Sequence, residues 1–335
     1  MKILFVGNFY RNKGTQNIGS KILECMDKQA YQTSFIWFSK NPFLRFAQLV
    51  KGMFTLQYDI VHLETYSGRY FNYTVTWAVK IAKLRGKKVI LNMQGGALPE
   101  FHAKNPGKVI KYLKRGDLRV SPSQRIIDYF AKDIKIEYLP SFIDLSKFPY
   151  DFYEERNDKL LWVRAFKDIY NPWLAIEALK ILKEKHPTLD LTMVGPDAGL
   201  MDDCKKLAQK YNLQNRVTFP GPVNNAELYK YFNSHSVYLN TTSFESFGFA
   251  LVEAASCGIP IVSSKVGEIP YIWQADTEIK FFSDKSAEEL AAQIELLITN
   301  APLRKEISKR AKTKAETFTW EAFSSKFYSL LKQLN

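Results

Sequence analysis

The chain has 335 residues, 46 % of them apolar and 24 % charged, which excludes a disordered polymer and allows two domains of ordinary size, each with a core of its own. Its formal net charge of +13 is unevenly spread: residues 1–150 hold 24 Lys/Arg against 10 Asp/Glu, and residues 151–335 hold 23 against 24. Three widely spaced cysteines, Cys25, Cys204 and Cys257, argue against a disulfide framework or a zinc site and suit a reducing cytoplasm.

The N-terminus, Met1-Lys2-Ile3-Leu4-Phe5-Val6-Gly7, reads as a strand and not as a signal peptide. No run approaches the roughly 20 apolar residues of a transmembrane helix. Short β-rich runs then alternate with helical patterns. The expected strands are 2–8, 34–38, 60–63, 88–92, 119–121 and 136–139, then 160–164, 189–194, 217–219, 237–240, 261–263 and 279–282. This alternation predicts an α/β fold with parallel sheets covered by helices on both faces, and the pattern occurs twice. The expectation is two Rossmann-like, doubly wound domains, 1–150 and 151–319. A linker falls within 140–158, and a C-terminal helix at 320–335 crosses back to the first domain. Ligands in such folds bind outside the carboxyl ends of the strands, here in a cleft between the two sheets.

The first strand runs into Gly7-Asn8-Phe9-Tyr10-Arg11-Asn12-Lys13-Gly14-Thr15, with a helix expected from about Gln16. A Gly-x-Gly-x-x-Gly fingerprint is absent. Gly14 permits a close backbone approach to a phosphate, and it equally suits an ordinary turn. Further along, residues 80–135 hold 14 Lys/Arg and 4 Asp/Glu, and Lys104, Lys108, Lys111 and Arg115 recur at helical spacing as one stripe. Residues 41–56 are apolar and aromatic around Arg45 and Lys51. Residues 69–83 mix Tyr70, Phe71, Tyr73 and Trp77 with Lys80 and Lys83. Such a half suits an anionic membrane surface or a lipid-diphosphate acceptor; solvated helix faces over an ordinary core would read the same way. No nucleic-acid module is recognisable, so no nucleic-acid partner is expected.

The densest chemical signal is Phe244-Glu245-Ser246-Phe247-Gly248-Phe249-Ala250-Leu251-Val252-Glu253, continuing to Cys257-Gly258-Ile259-Pro260. A strand-like run precedes it and a helix-like run follows, ended by Gly258 and Pro260. The helix N-terminus would favour a phosphate, whereas the Glu245 carboxylate would repel one and instead accept hydrogen bonds from hydroxyls. Phosphate beside hydroxyls describes a nucleotide sugar.

Around this stretch stand 138–144, Leu161-Trp162-Val163-Arg164-Ala165-Phe166, Leu191-Thr192-Met193-Val194-Gly195-Pro196 and Arg216-Val217-Thr218-Phe219-Pro220-Gly221-Pro222-Val223. With these segments the chain resembles the GT-B glycosyltransferases, specifically the retaining glycosyltransferase family 4 (glycosyl transferases group 1). The resemblance implies an enzyme of hexosyltransferase type that uses a UDP- or GDP-linked sugar. Glu245, with the backbone of Phe247 and Gly248, would hold the donor sugar and Glu253 the ribose. Arg164 would meet the diphosphate, to which its fixed charge and fork of donors are suited. Val223 would border the base, and the Gly14 backbone would face the phosphates from the other domain.

Two positions depart from the family pattern. Where relatives carry a lysine after the arginine, this chain has Lys167-Asp168-Ile169-Tyr170-Asn171-Pro172, similar to a Tyr-Asn-Pro variant branch. Tyr170 can donate a hydrogen bond but cannot neutralise a phosphate; Lys167 or Lys13 is the substitute charge. Gln94, in Met93-Gln94-Gly95-Gly96, stands where relatives commonly have histidine. It keeps donor and acceptor capacity without titrating, so the leaving phosphate oxygen would take the acceptor proton and Gln94 would orient the sugar. His102, Gly95 and Gly96 are the acceptor-side candidates, whereas His62, at a strand end, suits a structural place. No Asp-x-Asp occurs, which removes the usual mark of a metal-held diphosphate, so neither metal nor cofactor is expected.

The reading is a cytoplasmic enzyme, peripheral at the inner face of the cytoplasmic membrane, that extends a surface glycan or a lipid-linked acceptor. A sugar-nucleotide epimerase or hydrolase and a non-catalytic nucleotide-sugar-binding protein are the alternatives.

Overall fold

In the computed structural model, residues 1–8, 18–39, 41–150, 158–283 and 285–334 are described. The expected Gly14 and Lys13 contacts, the helix start near Gln16 and part of the 140–158 linker lie outside them. The strands are β1 (Lys2–Val6), β2 (Gln32–Phe35), β3 (Ile60–Thr65), β4 (Lys88–Met93), β5 (Leu118–Ser121), β6 (Glu137–Tyr138), β7 (Lys159–Val163), β8 (Asp190–Val194), β9 (Val217–Gly221), β10 (Val237–Asn240), β11 (Ile261–Ser264) and β12 (Lys280–Phe282). They form two parallel six-stranded sheets, ordered β2-β1-β3-β4-β5-β6 and β12-β11-β10-β7-β8-β9. Parallel neighbours need long crossovers, and the helices between successive strands supply them.

The chain divides into two compact units, Met1–Phe142 with Trp320–Asn335, and Ile143–Thr319. The first unit ends at Phe142 and not at residue 150, because Ile143 and Phe148 pack in the core of the second.

In the first unit one sheet face buries Leu4, Val6, Val61, Leu63, Val89 and Leu91 against helices Pro42–Thr55, Thr76–Leu84 and Pro106–Leu113. The other buries Ile3, Phe5, Ile60 and Ile90 against helix Ile18–Cys25 and against Phe323, Phe327, Leu330 and Leu331 of helix Trp320–Lys332. The C-terminal segment thus completes the N-terminal core. The expected Lys104–Arg115 stripe needs correcting. Helix Leu98–Lys104 ends at Asn105, a new helix opens at Pro106, and Arg115 lies beyond the cap at Lys114. Proline lacks the N–H that would continue the first helix and is suited to opening the second, so Lys104 does not share a helix with Lys108 and Lys111.

In the second unit alternate residues of one strand serve opposite faces. Leu160 and Trp162 of β7 and Leu239 of β10 pack under helices Pro172–Leu182 and Ala287–Thr299; Leu161 and Tyr238 pack under Phe249–Ser256 and Ala301–Ala315. Strand order reverses between β7 and β10, which is where a ligand crevice opens in a doubly wound sheet. The corresponding point in the first unit lies between β1 and β3.

Candidate functional site

The chain just past β7 and β10 brings the second unit's chemistry together. Arg164 follows β7 directly and Glu245 lies in the loop after β10. They form an ion pair with Arg164 Nη2 donating to Glu245 Oε2 at 2.5 Å, the side chains 17 % and 15 % exposed. The other carboxylate oxygen, Oε1, accepts from the Ser246 amide at 3.0 Å. Arg164 Nε is buried and has no partner among the described residues. Burial works against the guanidinium charge, but Tyr238, Glu245, Tyr170 and Glu253 outweigh it and raise the Arg164 pKa. The Tyr170 ring centroid lies 5.4 Å from the guanidinium carbon.

Local backbone demands explain why these side chains stay in place. Gly248 has φ +86, caps helix Phe249–Ser256 in the left-handed region, and offers its carbonyl to Leu251 N and Val252 N. Gly248 has no side chain with which to cap that helix start. Glu253 is half-buried within the helix, and Phe247 is buried at its entry. Lys167 is exposed and Val223 packs at the edge of the core beneath helix Phe249–Ser256.

The Tyr-Asn-Pro turn is a structural fastening. Asn171 is buried at φ +41; its amide donates to Thr241 O at 2.9 Å and Ser243 Oγ at 2.7 Å. Thr241 Oγ1 donates to Tyr170 O at 2.6 Å and accepts from Trp162 Nε1 at 2.8 Å. The loop that carries Tyr170 is thereby tied to the loop that carries Glu245. Asparagine tolerates the left-handed conformation, and Pro172 opens the next helix.

Three contributors escaped the sequence reading. Gly267 (φ +57) lies against Glu245, so that a Cβ would fall on the Glu245 carbonyl oxygen, and Glu268 N donates to that oxygen at 2.9 Å. Gly195 (φ +151) likewise leaves room for the Arg164 carbonyl. Tyr238 is fully buried, and its Oη has no partner. Burial pushes its phenol up to about 12; Arg164 opposes the shift, and Glu253 and Glu245 add to it. A tyrosine inside an apolar strand was the available signal for Tyr238. Gly195 stood in a segment that carried the resemblance but was given no role, and Gly267 gave no signal, because the partners of both are remote in sequence.

In the first unit Gln94 directly follows β4 and is half-buried, and Gly95 packs on Thr65 and Tyr66, where a Cβ would come within 3.1 Å of Tyr66 Cα. Gly96 O accepts from Arg125 Nη2 at 2.6 Å. His102 lies beside Tyr129: its Nδ1 is 3.1 Å from Tyr129 Oη, which donates to Pro99 O, and its ring packs on Phe130. The sequence reading also missed Glu64, fully buried at the switch between β1 and β3. Its Oε2 accepts from Asn8 N at 3.1 Å and Tyr66 Oη at 3.2 Å; Oε1 has no partner. Burial raises its pKa, against hydrogen bonds from Asn8, Tyr66 and Gly19 and the charge of Arg45. His62, on the same strand, is buried with neither ring nitrogen partnered.

Among the described residues no group of three or more His, Cys, Asp or Glu is placed to hold a metal ion, and no helix is long and apolar enough to cross a membrane.

Two parallel six-stranded sheets in separate units, with an arginine–glutamate pair at the switch point of the second, define a two-domain α/β protein of the GT-B type. Residues 145–314 match the family Glycosyl transferases group 1, and the chain belongs to that family. A D-inositol 3-phosphate glycosyltransferase of Arthrobacter sp. (strain FB24) is 26 % identical over 248 residues, covering 69 % of this chain and 59 % of that protein. The phosphatidylinositol N-acetylglucosaminyltransferase gpi3 subunit of Schizosaccharomyces pombe is 27 % identical over 168 residues, 50 % of this chain and 36 % of that one. The chain therefore spans less than two thirds of either relative. Among solved structures, Anabaena Alr3699/HepE in complex with UDP is similar in fold, with a TM-score of 0.78 at 17 % identity over 99 % of this chain and all of that one.

Proposed function

We propose that the protein transfers a sugar, with retention of configuration, from a UDP- or GDP-linked donor to a glycan or lipid-linked acceptor in surface polysaccharide synthesis. The observation that carries this reading is the part-buried Arg164–Glu245 pair, with Arg164 Nε unpartnered among the described residues. A guanidinium has five N–H donors, so an arginine that gives one to Glu245 keeps others for a leaving diphosphate. Glu245 keeps acceptor capacity for sugar hydroxyls, and Glu253 accepts from the ribose. The start of helix Phe249–Ser256 adds a positive dipole end. As the sugar–phosphate bond breaks, charge grows on the diphosphate, and these fixed positive groups stabilise it without a metal. The leaving phosphate oxygen takes the acceptor proton while Gln94 orients the incoming hydroxyl. Gly95 packs on Thr65 and Tyr66, and the Tyr66 hydroxyl donates to Glu64, which gives the acceptor side hydrogen-bonding groups. The complex of Alr3699/HepE with UDP and the lipid-inositol name of the yeast relative are consistent with both substrates. The basic first unit supports a position at the inner face of the cytoplasmic membrane, and the reading calls for no cofactor.

Thermal-shift screening with UDP-, GDP- and ADP-sugars identifies the donor. Glu245→Ala then lowers donor turnover, measured as transfer or hydrolysis, by about 100-fold or more, whereas Glu253→Ala chiefly weakens nucleotide affinity, by about 10-fold. Near-normal turnover in the first variant, or unchanged nucleotide affinity in the second, refutes the role given to that residue. Donor consumption that is indifferent to every acceptor offered would indicate a hydrolase or epimerase.

A further inference from the structure

Helix Pro42–Thr55 is apolar on both sides. Its inward side buries Leu49 and Met53 and sets Phe46 edge-on to Trp77 at 5.4 Å. Its outward side leaves Phe43 84 % exposed, with Leu44, Ala47 and Phe54 exposed beside it. Positions 43, 47, 51 and 54 share one helical face. The neighbouring helical run from Gly68 to Leu84 presents a second outward stripe at the same spacing: Tyr73, Trp77, Lys80 and Leu84, the last 79 % exposed. The Phe46–Trp77 contact sets the two stripes side by side. A surface helix with large apolar side chains on its outward side as well as its inward side implies that something else covers the outer face.

Charge identifies the cover. Neither helical segment contains an aspartate or glutamate, and Lys51 and Lys80 stand exposed among the aromatic side chains, Lys80 Nζ lying 4.6 Å from the Trp77 ring. A second copy of the chain docked on this face would bring like charges together. An anionic lipid surface accepts both features: aromatic rings settle at the headgroup level, and lysines extend their charge to the phosphates. We propose that helices Pro42–Thr55 and Gly68–Leu84 together form a shallow membrane-insertion surface, seated in an anionic leaflet through Phe43, Leu44, Phe54, Tyr73, Trp77 and Leu84. This deepens, and rests on, the membrane-facing part of the proposed function. It narrows the contact from the basic first unit as a whole to a two-helix face that buries apolar area as well as charge.

The test is flotation of the full chain with vesicles of about 30 % phosphatidylglycerol in phosphatidylcholine. The wild type floats, and part of that binding survives high salt, because an apolar contribution is not screened. The triple variant Phe43→Ser, Leu44→Ser, Phe54→Ser, confined to exposed side chains, loses binding by about 10-fold or more and loses the salt-resistant part. Lys51→Glu with Lys80→Glu lowers low-salt binding by a similar factor and leaves the fold untouched. In both, nucleotide affinity without vesicles is unchanged, which separates this surface from the donor site. Absence of flotation in the wild type, wild-type flotation of the triple variant, or a concentration-dependent dimer that the triple variant abolishes overturns the proposal. So does a triple variant that has lost nucleotide affinity.

Discussion

Gly267 presents only a hydrogen where any other residue would push a methyl group into the backbone of Glu245. Gly267→Ala therefore strains a left-handed backbone and displaces the site's carboxylate together. It should cost about 2–4 kcal/mol of stability, read by urea denaturation, and weaken nucleotide-sugar binding. Gly107→Ala is the contrast, since nothing lies within 4 Å of its Cβ position and the residue sits in a helix; it should gain about 0.5–1 kcal/mol. A loss in Gly107→Ala as large as in Gly267→Ala would count against this account. At this scale Glu245, Glu253, Gly248 and Arg164 were legible, because a carboxylate, a left-handed turn and a helix start occur within a few consecutive residues or at the end of a clear strand. Gly267 was not, because its reason for being glycine is an oxygen contributed by a distant loop. Tyr170-Asn171-Pro172 was legible as a departure, but its fastening task required Thr241 and Ser243 to be seen beside it.

Helix Trp320–Lys332 closes one face of the first sheet. Each of Phe323, Phe327, Leu330 and Leu331 contributes about 1.5–3 kcal/mol by burial, a sum comparable to the roughly 5–15 kcal/mol by which a domain is stable. Deleting residues 320–335 should therefore unfold the first unit, and Phe327→Ala alone should cost about 3–5 kcal/mol, measured by calorimetry of the full chain. A truncated chain that retains the wild-type transition would contradict this. The spacing of apolar residues made this element legible as a helix, and the strands were legible as short apolar runs. Two basic residues assigned to one stripe, Lys104 and Lys108, belong to separate helices because Asn105-Pro106 interrupts the hydrogen-bond ladder. The proline was visible; that it opens a separate helix was not.

At the scale of the whole molecule, each unit carries a buried neutral histidine. His62 packs against Phe5 and Phe327 in the first. His235 in the second donates from Nδ1 to Tyr231 O at 2.7 Å, and its Nε2 lies 2.9 Å from Thr192 Oγ1. Burial lowers both to about 4 from an ordinary 6.5. Between these values the unfolded chain binds the extra proton and the folded chain does not, so stability is full above the ordinary value and falls as pH drops toward the folded one. Each histidine should cost on the order of 3 kcal/mol by the end of that window. His62→Phe should remove the first unit's share of the acid slope and raise its Tm at neutral pH, since it deletes two unpartnered polar atoms; an unaltered slope in denaturation curves across the window would refute this. The amino-acid sequence by itself determined the strand–helix alternation, the two parallel sheets, the family and the place of charge, because burial periodicity, turn chemistry and motif spacing are local properties of a chain. Only the tertiary structure decided which face each helix leaves open, why Gly267 and Gly195 must be glycine, and where a histidine or glutamate is stripped of water. Those depend on groups far apart in sequence meeting at contact distance.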